Sequence, residues 1–193
     1  MPWEKQFSIE DVLDKAMQTF WVQGYEATSV QDLVACTGIN RGSLYATYGD
    51  KRDLFLAALK HYDETVRKGF SIELENRLGP VEAIRQMFQV FVDKVAVHGQ
   101  NCGCFLTNTA LELAAHDAEI GVIVANAQTE IEAFFARSIM RGQSLGEISI
   151  SVTPKTAAQG LLAALLGLVV LSRSRPDPAL LQAIADDAIR RVA

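Results

Sequence analysis

The sequence predicts an all-α protein of about nine helices, with a small N-terminal unit of two short helices around a tight turn carried on a larger helical body. Three observations predict it. Apolar residues recur three and four positions apart along nearly the whole chain. Ser, Thr, Asn or Asp precedes these stretches, and Gly or Pro punctuates their ends. No stretch reads as a strand with a partner; residues 147–152 carry β-forming side chains and have nothing obvious to pair with.

Ser8, with Asp11 three residues on, opens a first helix that carries Val12, Ala16, Phe20 and Trp21 and stops near Gly24. Phe20 and Trp21 are core residues in this reading. Thr28 and Gln31 form a capping-box pattern ahead of Val30, Leu33 and Val34, and Gly38 suits the positive φ that ends a helix. Asn40 is the next N-cap, opening a short helix over residues 41–48. Leu44 and Tyr48, four apart, can face inward, which leaves Arg41, Ser43, Tyr45 and Thr47 on outer faces. Such a helix offers its donors to a polyanion, to phosphate oxygens or to base edges in a major groove. That is a helix-turn-helix pattern, and it sets the domain division at 1–48 and 49–193.

Gly49-Asp50 caps a long helix through Leu54, Phe55, Ala58, Leu59 and Tyr62 towards Leu74, a rod that joins head to body. Gly79-Pro80 starts the next, with Pro at the first helical position and an apolar face from Ala83 to Val95 that ends at Gly99. Residues 101–106 lead into a helix through Leu113. His116-Asp117 marks a break before a long helix through Ile120, Val124, Phe134, Phe135 and Ile139. Residues 142–151 read as a loop. Thr153-Pro154 then opens a helix that is apolar nearly all round, and Asp177-Pro178 opens the last. A helix of that kind must be covered on most sides. A two-fold interface through Leu161, Leu165, Leu168, Leu181 and Ile184 is the economical cover, so a homodimer is expected.

Composition limits the alternatives. With 49% hydrophobic and 21% charged residues the chain is globular rather than disordered. The net charge of −5 argues only weakly against nucleic acid, because a duplex meets the docking face and not the average. Cys36, Cys102 and Cys104 without an N-terminal targeting pattern fit a reducing, cytoplasmic setting. The greasiest run, residues 160–171, falls short of the roughly 20 residues that span a bilayer, so no membrane partner is expected.

The pattern Phe20, Gly24-Tyr25, Thr28-Ser29-Val30, Leu33, Gly38-Ile39, Gly42-Ser43-Leu44-Tyr45, Tyr48, Lys51 and Leu54 resembles the DNA-binding signature of the TetR family of one-component repressors. The family usually has Ala where this chain has Val34, which implies a slightly wider helix crossing. The resemblance implies a double-stranded operator with an inverted repeat, contacted by Thr28, Ser29, Asn40, Arg41, Gly42, Ser43, Tyr45, Thr47, Tyr48 and Lys51. It also implies dimerisation through the last two long helices and release by a small-molecule effector. For the effector pocket the apolar lining with a few polar groups points to Phe88, Phe91, Cys104, Asn108, Glu112 and Phe134.

Cys102-Gly103-Cys104 admits three readings: a soft-metal site with His98, a thiol activated near a helix N-terminus, or a small buried hydrophobe beside Phe105. The segment 103–108 also resembles the electrophile-sensing subgroup of the family. No metal or cofactor is expected. Ser-His-Asp, HExxH, P-loop and GxGxxG arrangements are missing from the sequence, and the three histidines are scattered. The other function classes are a helical protein-interaction module and, behind it, a small enzyme; steeply salt-dependent binding of a palindromic duplex separates a repressor from both.

Overall fold

The computed structural model describes residues 8–99 and 101–192; the reading of the extreme N-terminus as free of a targeting signal lies largely outside them. Three short helices make the head: α1 (Ile9–Gln23), α2 (Val30–Thr37) and α3 (Arg41–Tyr48). A rod follows, α4 (Lys51–Tyr62), one wider π-type stretch (Asp63–Lys68) and α5 (Gly69–Arg77), helical throughout. The body adds α6 (Pro80–His98), α7 (Phe105–Glu112), α8 (Ala118–Ser144), α9 (Pro154–Ser174) and α10 (Pro178–Arg190). With the rod counted once, these are nine helices, and no strand occurs among the described residues.

Local chemistry accounts for most boundaries. Asn40 caps α3 by accepting the Ser43 amide at 2.9 Å, and Asp50 opens α4 in a reciprocal capping box with Asp53. Gly38 and Gly99 end α2 and α6 at φ 75° and 68°, a region that penalises any side chain. One cap moves. Thr28 is fully buried and donates its hydroxyl to the Gly24 carbonyl at 2.6 Å, closing the α1–α2 turn. Ser29 therefore caps α2, paired with Asp32 rather than Gln31. The loop expected at 142–151 also starts later, after Ser144. Ile148 folds back so tightly that a Cβ on Gly142 would lie 2.6 Å from its Cδ1, which keeps Gly142 inside the helix.

Two apolar cores result. Val12, Phe20, Leu33 and Leu44 of the head share one with Leu54, Phe55 and Leu59 of the rod and with Phe105, Leu106 and Ile120 of the body. The other packs α6, α8, α9 and α10 around Phe88, Phe134, Phe135 and Leu168. In α9 the structure corrects the expected dimer contacts. Leu161, Leu165, Leu168 and, on α10, Leu181 are 3, 4, 0 and 0% exposed within the protomer, because they fill its own core. Ile184 is half-buried against it. The outward face of α9 carries Gly160, Ala163, Gly167 and Val170 instead. At 21 residues α9 is longer than the dozen-residue run suggested, and it is apolar enough to cross a membrane by length and composition alone; Leu161, Leu165, Leu168 and Val169 point into the protein core.

Candidate nucleic-acid interface and its ties to the body

The exposed surface of the head is built by α3 and the two helix starts beside it. Arg41 is exposed, with its guanidinium 5.2 Å from the Tyr45 ring centre and a terminal nitrogen 3.4 Å from the Tyr45 hydroxyl. The stack holds a long, flexible cation over the helix without neutralising it. Gly42 is exposed, and Ser43, Tyr45 and Thr47 are half-buried along the same short helix. Lys51, in the first turn of α4, holds its ammonium 4.3 Å from the Tyr25 ring centre. Ser29 stays exposed, its hydroxyl donating to Asp32 at 2.7 Å; those bonds hold the Asp32 carboxyl below its ordinary pKa. The capped starts of α2, α3 and α4 thus add their partial positive charge to one Arg and one Lys on the head and the first turn of the rod.

Two expected contacts behave otherwise. Thr28 is buried under the α1–α2 turn and cannot reach a duplex. Tyr48 packs on the head core and donates its hydroxyl to the Ile9 carbonyl at 3.0 Å, bracing α3 on α1 rather than presenting a free donor.

The head and the rod are each tied to the body at a place that spacing did not reveal. Glu112, at the end of α7, accepts the amides of Tyr25 at 3.2 Å and Glu26 at 2.9 Å. It is thus a strut to the α1–α2 turn, not a pocket residue. Arg52 of α4 grips Asp117 with two bonds, at 2.6 and 2.9 Å, and reaches Glu119 at 3.2 Å. Asp117 also caps α8 by accepting the Glu119 and Ile120 amides. The Arg52 guanidinium, aided by those amides, holds the Asp117 carboxyl down at about 2. A depressed carboxylate contributes stability above its unfolded pKa and loses it as pH falls through the folded one. The stability gap between wild type and Asp117→Asn is therefore expected to be constant down to about pH 4 and to close towards about pH 2, read by thermal unfolding.

Further along the rod, beside Tyr62 and Phe70, lies a cavity of about 620 Å³, within the usual range for small-molecule sites. Trp21 of α1, Tyr62 and Phe70 of the rod, Phe91 of α6, Cys104 before α7 and Leu165 of α9 form its walls. Of the expected pocket residues, Phe91 and Cys104 line it. Phe88 and Phe134 are 0 and 1% exposed in the body core, because the apolar face of each long helix is wider than the cavity. Asn108 is spent on the 101–104 loop, donating to the Cys102 carbonyl at 2.8 Å. Trp21, read as core from sequence, is the wall that the head contributes. Burial pushes the Cys102 thiol up, whereas Cys104 accepts the Tyr62 hydroxyl at 3.4 Å. Among the described residues no three His, Cys, Asp or Glu side chains gather as a metal site would need.

A second hollow, about 870 Å³, runs along the surface between α9 and α10, floored by Gly160, Ala163, Ala164, Ala183 and Ile184.

Residues 12–58 match the family model described as bacterial regulatory proteins, tetR family, and residues 80–187 match the tetracyclin repressor-like C-terminal domain. The HTH-type transcriptional regulator YezE of Bacillus subtilis (strain 168) is 37% identical over 75% of each chain. The HTH-type transcriptional repressor ComR of Escherichia coli (strain K12) is 28% identical over 96% of this chain and 89% of its own. A solved structure of a cysteine mutant of the TetR family transcriptional regulator CifR, complexed with 26-bp double-strand operator DNA, superposes with TM-score 0.83 at 25% identity, covering 97% of this chain and 98% of that one.

Proposed function

The chain belongs to the TetR family of bacterial transcriptional regulators, and we propose that within it this protein is a homodimeric repressor that a small-molecule effector lifts from an inverted-repeat operator. It is a DNA-binding transcriptional regulator, as its repressor relatives and the operator-bound neighbour support. The observation that carries the effector reading is the composition of the cavity wall. Trp21 belongs to the head and Tyr62 to the rod, whereas Phe91 and Leu165 belong to the body. A ligand seated there touches both parts at once. If it binds better in the conformation whose heads are misplaced for DNA, it releases the operator by that difference in affinity. Small residues on the outer face of α9 and the hollow beside α10 support a partner protomer at that face.

The experiment is a search of the DNA upstream of its own locus for an inverted repeat, followed by titration against that repeat and a scrambled duplex at several salt concentrations. A steep salt dependence with preference for the repeat supports the reading; equal, weak binding to both returns it to a protein-interaction module. In the same assay Lys51→Ala is expected to weaken all sequences alike and to lower the salt slope by about one. Arg41→Ala is expected to relax preference at one base pair, at a cost of about 1–3 kcal/mol. Equal losses on both duplexes would reassign Arg41 to the backbone.

One observation favours a thiol-reactive effector as a second reading: Cys104 sits in the cavity wall, where the Tyr62 hydroxyl donates to its sulfur. An adduct there overpacks the site by about 1–3 kcal/mol, the size of a typical allosteric coupling. Operator release by N-ethylmaleimide or a small quinone is then expected for wild type and lost in Cys104→Ser. Release from both, or from neither, makes Cys104 structural.

A further inference from the structure

The polar groups around the cavity select the chemistry of its occupant, provided that the effector reading above holds. Trp21 is 8% exposed, and its indole N–H is a buried donor without an acceptor among the described residues. A buried donor left unpaired is costly, so a ligand that accepts from it gains more than the bond itself. Lys94 lines the same cavity from α6, its ammonium 5.8 Å from the Trp21 ring centre and 5.9 Å from that of Phe91. It forms no ion pair among the described residues, whose other charges at the cavity are already matched. Arg67 is held by Asp63 and Glu130, and Glu73 by Arg77. The α7 N-terminus opens at the wall from Cys104 with no side chain capping it, which adds a partial positive charge to the same region.

The rest of the lining is apolar: Phe70, Met87, Phe91, Ile131, Leu165 and Val169. A cationic ligand finds no unpaired carboxylate there, and a neutral hydrocarbon leaves both the indole N–H and the ammonium unused. We propose that the effector is an organic acid, an apolar body with one anionic end, whose anion is held by Lys94 and, once a small turn of the ring opens it to the cavity, by the Trp21 indole N–H. Trp21 stands on α1, which carries the head core residues Val12, Ala16 and Phe20, and Lys94 stands on α6 of the body. The anion thus bridges the two parts whose relative placement the operator reads.

The test uses the full chain and calorimetric titration with matched probes, octanoate against octanol and hydrocinnamate against hydrocinnamyl alcohol. Each acid is expected to bind at least about tenfold tighter than its alcohol, the scale of a hydrogen-bonded charge. Lys94→Gln is expected to close that gap, and Trp21→Phe, which keeps a ring and removes the donor, to narrow it. Because Lys94 is exposed, its variant keeps the test valid if Trp21→Phe disturbs the fold. Equal binding of acid and alcohol, a gap that survives Lys94→Gln, or failure of both acids to bind overturns the proposal. Operator release is read separately. Charge-dependent binding without release overturns the repressor mechanism and leaves the acid site standing; release by the alcohols as readily as by the acids overturns the acid site alone.

Discussion

Ala163→Arg is expected to leave each protomer folded but unpaired, and to lower operator affinity by about two to four orders of magnitude, the loss that follows when two linked half-sites are bound singly. Ala163 is exposed on the outer face of α9, between Gly160 and Gly167 on successive turns, beside the hollow that Ala183 and Ile184 line from α10. A face of such small residues lets another pair of helices approach closely, and a long cation planted there blocks that approach without touching the protomer's own core. Leu165→Glu, two residues on, is expected to behave differently. Leu165 is 4% exposed in the body core, so the substitution buries an unpaired charge and unfolds the body rather than splitting a dimer. Circular dichroism separates the two outcomes, and sedimentation at micromolar concentration with an operator titration completes the test. Dimeric Ala163→Arg with wild-type operator affinity would remove this face from the interface.

Glu112→Ala is expected to separate effector binding from operator release. The carboxylate holds the Tyr25 and Glu26 amides, in the turn that delivers α2, from a position at the end of α7. Its removal leaves two amides of the head without that acceptor and costs about 1.5–3 kcal/mol of stability, the usual range for a hydrogen bond to a charged group. The larger effect falls on coupling. A typical allosteric coupling of about 1–3 kcal/mol changes affinity roughly 5- to 150-fold, and much of it is expected to disappear when the strut is cut. The effector should still bind, because Glu112 lies outside the cavity lining. Arg52→Ala, which frees α4 from Asp117 and Glu119, should deepen the loss in the double variant. Undiminished release from that variant would show that the cavity wall, through Trp21 and Tyr62, carries the coupling without these ties.

The sequence by itself determined the helices and the reading head, because their signals are local. Asn40 and Tyr48 bound α3 as read, Gly38 and Gly99 end their helices at positive φ, and Pro80, Pro154 and Pro178 each start one. A cap or a breaker acts within a turn of its own position, so neighbouring residues suffice to see it. Even there a choice between adjacent candidates escaped: Thr28 and Ser29 can both cap, and only the burial of the Thr28 hydroxyl against Gly24 selected Ser29.

Tertiary structure alone decided which apolar residues meet which. Periodicity marks a face as apolar without saying what covers it, so Leu161, Leu165 and Leu168 read equally well as a dimer seam or as the core they form. For the same reason Phe88 and Phe134 read as pocket lining although they fill the core, and Trp21, correctly read as core, gave no sign that it also walls the cavity. Glu112 and Arg52 carried no sequence signal, since their partners lie 86 or more and 65 or more residues away. Contacts that close such long loops depend on how whole helices pack, and no spacing rule within a single helix encodes them.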